Sequence, residues 1–336
     1  MDAPGRHGDP APMEKVDEFI VVERCFSSDP EFLSVGLANI HADVPDVEAN
    51  KDRIERACRV FRDRGVDVAI FPEFCLSGYF WEDEVACRRH LERATTERHL
   101  DWIEDRLRPL LDDEFRGIIL NNITEGEGDL YYNTTFLVTR QHPDPLDGRL
   151  SYHKVFLPGI EKLYTRSGGE DRLDLDGAMG RVGFTTCYDY LFSDLLREYS
   201  MLDEVDAIVE IASWRAAATR DYAEMNVRTD LYYGALWDMA MAAGSATNQV
   251  WTIAVNAVGR HPISGATFWG GSGIWAPSGL NLIQASHFND ELLIVHNIDL
   301  KGVRRAERDD FDYAIDFHEI YRPMDGTRSF SRVMLD

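Results

Sequence analysis

Cys187 closes the apolar run RVGFTTC (181–187) and is followed by Tyr188-Asp189 and a helical segment. A nucleophile on a tight strand-to-helix turn projects from the sheet edge, with the next backbone N–H at hand for an oxyanion. An arbitrary free cysteine is more often a small buried hydrophobe, and Cys58 and Cys87, on apparent helix faces, fit that plainer description. Glu73, in FPEFCLSGY, follows Pro72 at the end of a buried strand. A carboxyl group in so weakly solvated a place has its pKa raised towards neutrality, which suits a general base; the alternative is a capping or solvated loop glutamate. Lys154, in SYHKVFLPG, lies between aromatic and aliphatic neighbours. It either snorkels to water or holds a positive charge beside a thiolate and a tetrahedral oxyanion, lowering the thiol pKa. Lysines stand only at positions 15, 51, 154, 162 and 301, so one in apolar surroundings is conspicuous.

Composition narrows the classes of function. A net charge of −24 disfavours nucleic acid, whose phosphates call for clustered Lys and Arg. The five cysteines contain no C-x-x-C, so neither a disulfide framework nor a zinc site is expected. No run of about 18 apolar residues suggests a membrane span. The opening MDAPGRHGDPAP has no apolar stretch of the secretory kind, and a reducing cytoplasm is the expected location. Sequences G-x-x-x-x-G-K-[ST], H-E-x-x-H and G-x-S-x-G are missing, and the glycine run at 270–273 precedes a strand rather than a helix. A Cys–His pairing with His153 or His261 stays open, although neither stands in a protease signature.

The elements that must position these residues alternate along the chain. Residues 1–15 suggest a mobile tail and 17–26 a short strand or arm. Leu33, Val35 and Leu37, with Ala38, Ile40 and Ala42 in the opposite phase, mark a strand buried on both faces. Val47, Ile54, Cys58 and Phe61 recur at helical spacing, with Gly65 as C-cap. Further helices are expected over 83–112, 192–200 and 222–246. A hairpin is expected from 117–126 and 130–140, with further strands at 66–71, 181–189, 206–214, 250–259, 271–277, 280–286 and 291–300. Many strand neighbours are joined by short turns, which a doubly wound parallel sheet does not allow. Two stacked sheets with helices outside is the implied α/β architecture. Residues 305–336 suggest an irregular arm.

Glu73, Lys154 and Cys187 together, each at a strand end or adjoining loop, resemble the carbon–nitrogen hydrolase (nitrilase) superfamily. PEFCLSGY is similar to its Glu motif, YHKVFLPG to its Lys motif and VGFTTCYDYLF to its Cys motif. Glu161 resembles the second glutamate that orients the lysine and helps position substrate. AVNAVG (254–259) and GGSGIWAPSG (270–279) resemble later family strands, and Trp214 a pocket-lining position. FTTCYDYLFSD and GSGIWAP look closest to the pantetheinase/biotinidase group. The chain departs from the family at 243–248, where only Asn248 of an Arg-Ala-x-Glu-Asn stretch is retained, which puts the packing of that helix in question.

The resemblance implies a four-layer α-β-β-α sandwich of two mixed β-sheets flanked by helices. It divides the chain into an extension (1–32), a hydrolase domain (33–304) and a C-terminal arm (305–336). It implies cysteine-dependent hydrolysis, through a thioester, of a non-peptide C–N bond in a small linear amide or a carbamoyl or acyl amine, without metal or organic cofactor, by a homo-oligomer. Glu73, Lys154, Cys187 and Glu161 are the expected catalytic group, with Tyr79, Tyr188 and Trp214 against substrate. Phe80, Trp81 and Trp269 are further aromatics near the motifs. Nitrilases usually carry Trp-Glu after the cysteine, where this chain has Tyr188-Asp189, as in amidase-type branches. A nitrilase, an amide-forming acyltransferase and a catalytically silent binding protein are the alternatives.

Overall fold

A computed structural model describes residues 13–79, 84–126, 128, 130–169, 171–177, 179–320 and 330–334. Phe80, Trp81 and residues 1–12 of the expected tail lie outside them. Met13–Val16 is already a strand, hairpinned onto Phe19–Cys25.

Two mixed sheets face one another. The first runs in the order Met13–Val16, Phe19–Cys25, Glu291–Ile298, Leu33–Asn39, Val68–Ile70, Gly117–Glu125, Tyr131–Val138 and Ser151–His153, with Thr165–Arg166 also paired to Tyr131–Val138. The second runs Asn281–Gln284, Gly273–Trp275, Trp251–Asn256, Ala207–Ala212, Gly180–Thr186, Arg172–Gly177 and Phe330–Met334. Parallel and antiparallel pairs occur in both. The alternation at 33–40 is resolved as anticipated. Val35 and Leu37 join Ile70 and Ile119 in a core shared with Phe184, Val209, Ile211 and Ile253 of the opposite sheet. Ala38 and Ile40 face outwards onto Ile54, Ala57 and Phe61 of the helix Val47–Asp63. The outer face of the second sheet, at Ile208, Ala212 and Ala254, is covered by Trp237 and Met241 of the helix Tyr232–Asn248. Apolar faces on both sides of each sheet therefore give helix, sheet, sheet and helix, the expected four layers.

The helix Val47–Asp63 and the helical segment around Tyr199, at Glu198–Leu202, each approach a sheet over a glycine. A Cβ built on Gly36 would stand 2.4 Å from the Phe61 ring, and one on Gly183 would stand 2.5 Å from the Tyr199 ring. The first helix starts at Asp46, whose side chain accepts from Ala49 N, and stops before Gly65 at φ +72°, the left-handed C′ position that glycine favours.

Several elements differ from expectation. The helix over 83–112 is broken into Glu84–Ala94 and short turns that pass through Pro109. The helix expected from 222 begins at Tyr232, because Arg220–Tyr222 and Val227–Thr229 pair first, around Asn226 at φ +52°. Arg172–Gly177 is a further strand, whose alternation is confined to Leu173 and Leu175 between charged residues. The stretch after 304 is not irregular. Leu300–Asp310 and Tyr313–Ile320 are helices, and Phe330–Met334 pairs with Arg172–Gly177. Despite the departure at 243–248, Tyr232–Asn248 is continuous and ends on Gln249 in a left-handed cap. No described helix is long and apolar enough to cross a membrane.

Gly183→Ala is expected to lose about 1–3 kcal/mol through overpacking against Tyr199, read as a lower midpoint in urea unfolding. An unchanged midpoint would mean that the helix yields freely.

Candidate active site

The carboxyl ends of central strands from both sheets bring the chemistry-bearing residues together. Glu73 lies three residues beyond Val68–Ile70 of the first sheet, yet it is clasped by the second. Its N–H donates to Ala212 O at 3.3 Å, its carboxylate Oε2 accepts Ser213 N at 2.8 Å, and its carbonyl accepts Ser213 Oγ at 2.8 Å. Lys154 follows the edge strand Ser151–His153, with its N–H on Asn133 O and its own carbonyl accepting Gly168 N. Its ammonium is wholly buried and donates to Glu73 Oε1 and Glu161 Oε1, both at 2.8 Å. Glu161 opens a short 3-10 turn and accepts the Tyr79 hydroxyl at 2.5 Å.

Burial works to lower the Lys154 pKa, but the carboxylates of Glu161 and Glu73 overcome it and hold the ammonium charged. Burial raises the Glu161 pKa, and Lys154 opposes the rise. One ammonium between two carboxylates, all out of water, leaves the cluster short of positive charge.

Cys187 is partly exposed and lines a cavity of about 330 Å³. Its φ of +55° is left-handed, a strain on the order of 1–3 kcal/mol for a residue with a Cβ. The turn is held by Asp189, which accepts from Thr186 N at 3.0 Å, Phe156 N at 2.6 Å and the Tyr152 hydroxyl at 2.7 Å. These bonds tie the cysteine turn of the second sheet to the segment after Lys154 on the first. Burial pushes the Cys187 thiol well up, Glu73 adds to this, and Lys154 only partly counters it. The expectation that Lys154 would lower the thiol pKa is thus met in direction but not in outcome. Desolvation outweighs one ammonium already shared with two carboxylates, so the balance of shifts favours the thiol over the thiolate.

Tyr79, Tyr188 and Trp214 all border the same cavity. Tyr188 is substantially exposed, whereas Tyr79 and Trp214 are nearly buried. The Trp214 indole donates to Tyr233 O at 2.8 Å and packs edge-on to Trp237. Trp269 is stacked on His287 instead. His153 stacks on Tyr132, and neither it nor His261 is among the described residues lining the cavity.

Sequence reasoning passed over three residues. Asn133 donates to Glu73 Oε1 at 2.7 Å and to Glu161 Oε2 at 3.3 Å, and it is itself held by Asn121. Ser213 and Asp189 have the roles given above. The available signal for Asn133 was asparagine within two apolar strands, Asn121 and Asn122 in one and Asn133 in the other, where Asn is otherwise disfavoured. Asn256 and Ser272, within the two later motifs, support the cavity wall. Trp214 N donates to Asn256 Oδ1 at 2.7 Å, Asn256 N to Ser272 Oγ at 2.9 Å, and Ser272 Oγ to Asn39 Oδ1 at 2.8 Å.

The family model for carbon-nitrogen hydrolases matches residues 34–308, and the chain belongs to that family of enzymes that hydrolyse carbon–nitrogen bonds. Among solved structures, a CN-hydrolase superfamily protein from Xanthomonas campestris, described with an arsenic adduct in its active site, superposes with a TM-score of 0.67 at 19% identity. That match covers 85% of this chain and 97% of that one. A mutant of the nitrilase-superfamily amidase of Nesterenkonia AN1 gives 0.63 at 20% identity, covering 84% and 98%. A second Nesterenkonia amidase mutant, which shows the result of Michael addition of acrylamide at its active-site cysteine, gives 0.61 at 21% identity, covering 83% and 98%. A search of curated proteins gives no significant match.

Replacing Lys154 by Met should cost about 3–5 kcal/mol at pH 7.5, because two carboxylates are left buried without their cation. Without the ammonium, the folded-state pKa of Glu161, already raised by burial, rises further, so the folded variant takes up a proton as pH falls. The deficit should therefore shrink between pH 7.5 and 5. Urea unfolding at both values checks this, and an equal deficit at both would show that the charges are compensated elsewhere.

Proposed function

We propose that the chain is a cysteine-dependent amide hydrolase with Cys187 as nucleophile, Glu73 as general base and acid, and Lys154 beside the oxyanion. The observation that carries this reading is the juxtaposition of a cavity-lining sulfur with a buried carboxylate–ammonium pair that acts on it electrostatically. Since the balance favours the thiol, its proton leaves as attack begins. Glu73 accepts the proton, and sulfur bonds to the amide carbon. Negative charge on the carbonyl oxygen is met by Lys154 and by the backbone N–H of Tyr188 at the start of its turn. Glu73 then protonates the departing nitrogen, the C–N bond breaks, and a thioester on Cys187 remains. A water gives its proton to Glu73, and its oxygen attacks the thioester. Collapse releases the acid, and the proton returns to sulfur. Glu161, Asn133 and Tyr79 hold Glu73 and Lys154 in register.

The reading makes two further demands. Cys187→Ala should lower turnover of a short primary amide by about a thousandfold or more, with the fold intact by circular dichroism. In peptide mapping, acrylamide should label Cys187 and the exposed Cys25 but spare buried Cys58, Cys75 and Cys87. Glu73→Gln should slow labelling at Cys187 alone. Retained turnover in Cys187→Ala, or an unreactive Cys187, would remove it from the mechanism.

The second demand concerns pH. Burial pushes the Asp189 carboxyl up to about 6, with Lys154 holding it partly down. Above that pH the carboxylate accepts all its bonds; below it, a proton occupies one acceptor site and the cysteine turn loosens. kcat should fall as pH drops through about 6, and a kcat flat from pH 7 to 5 would exclude this role for Asp189.

A further inference from the structure

One buried carboxyl group beside the cysteine turn takes no part in the proposed proton transfers. Glu210 lies within the central strand Ala207–Ala212, opposite Thr185 on one side and Ala254 on the other. With Ile208 and Ala212 it shares the outer face of the second sheet, which Tyr190, Trp237 and Met241 cover. Its side chain is wholly buried. Thr185 Oγ1 donates to its Oε2 at 2.7 Å, and its Oε1 has no hydrogen-bond partner among the described residues. A carboxylate with one oxygen bare among apolar neighbours is far costlier than the neutral acid. Burial pushes the Glu210 carboxyl well above the usual range, and the bond from Thr185 only partly restrains the rise. Asp189 and Glu73 add to it, and Lys154 opposes it. Tyr190 and Tyr152, the phenols that feel its charge, are themselves raised by burial. Glu73, Glu161, Asp189 and Glu210 are thus four buried carboxyl groups beside the one ammonium of Lys154.

We propose that Glu210 works as a neutral carboxylic acid beside the nucleophile, and that its ionisation at alkaline pH is a brake on Cys187. Its hydrogen-bond donor, Thr185, stands two residues before Cys187 on the strand Gly180–Thr186. Negative charge on Glu210 opposes negative charge on the sulfur. With the proton in place, Lys154 answers the carboxylates of Glu73, Glu161 and Asp189, and part of its field reaches the sulfur. Once the proton is lost, a further anion joins them where charges are poorly screened, and thiolate character at Cys187 is suppressed. Glu210 is not among the residues lining the cavity, so it is a positioning residue that acts through the sulfur and not on substrate. The effect on turnover rests on the proposed hydrolase reading; the neutral state of Glu210 and its coupling to the thiol do not.

The test compares the wild type with Glu210→Gln, which keeps the shape and an acceptor for Thr185 but cannot ionise, and with Glu210→Met, which removes the polar group. In the unfolded chain Glu210 is ionised at neutral pH, whereas the folded protein keeps its proton. The folded state therefore binds one proton more, and stability is lost as pH rises from the ordinary carboxylate range towards the raised folded value. In urea unfolding, the folding constant of either variant relative to wild type should grow by about tenfold per pH unit between pH 6 and 8. Labelling of Cys187 by acrylamide, read by peptide mapping, reports on the sulfur. The ratio of the Glu210→Gln rate to the wild-type rate should rise by about tenfold between pH 7 and 10, as the brake comes on in the wild type alone. Where an amide is turned over, kcat of the wild type should fall at alkaline pH and that of Glu210→Gln should hold further up. An unfolding ratio independent of pH would show Glu210 already ionised in the folded protein. A labelling ratio independent of pH would show it uncoupled from the sulfur, and either result overturns the proposal. If one variant fails to fold, the other supplies both ratios. If neither folds, the wild type decides: the infrared band of a buried protonated carboxyl group must persist at pH 8, and its absence overturns the proposal. If no amide is turned over, the hydrolase reading fails, while the unfolding and labelling ratios still decide on Glu210.

Discussion

An ammonium removed from water is tolerable in a protein only where anions replace its hydration. Lys154 meets that condition with Glu73 and Glu161 at 2.8 Å each, and much of the surrounding architecture serves to keep the three in place. Asn133 spans both carboxylates, Asn121 holds Asn133, and the Tyr79 hydroxyl satisfies Glu161. A half-satisfied polar network of this kind would be worse than an apolar core, which explains why so many polar side chains are buried at one end of two otherwise apolar sheets.

The same cluster couples the sheets. Lys154 and Asn133 belong to the first, Ser213 and Cys187 to the second, and Glu73 reaches across. Asp189 makes a second crossing, from the cysteine turn to Phe156 N and Tyr152. The geometry of the sulfur is thus set by bonds that begin on the opposite sheet, and the left-handed backbone at Cys187 is sustained by them.

Much of this could be read from the chain. The two-phase apolar pattern at 33–42 showed a sheet covered on both faces, and the short turns between strands, which leave no room for helical crossovers, gave stacked sheets. Glu73, Lys154 and Cys187 stood out because charged or reactive side chains at the ends of apolar runs are costly without a purpose. What escaped was of two kinds. Asn133, Ser213 and Asp189 act through partners far away in sequence, and a polar residue whose partner is distant looks like any other. Arg172–Gly177 and the helices after 300 escaped because short or strongly charged segments owe their conformation to docking rather than to local pattern. The outcome at the sulfur was equally hidden, because whether burial or Lys154 prevails depends on how thoroughly water is excluded.

The support of the cavity wall has a bearing on synthesis. Trp214 hangs from Asn256, Asn256 from Ser272, and Ser272 from Asn39 near the other end of the chain. When residue 214 leaves the ribosome, Asn256 and Ser272 have not yet been translated. This wall of the pocket is therefore complete only after Trp251–Asn256 and Ser272 have been made. Until then Cys187 has no assembled cavity beside it.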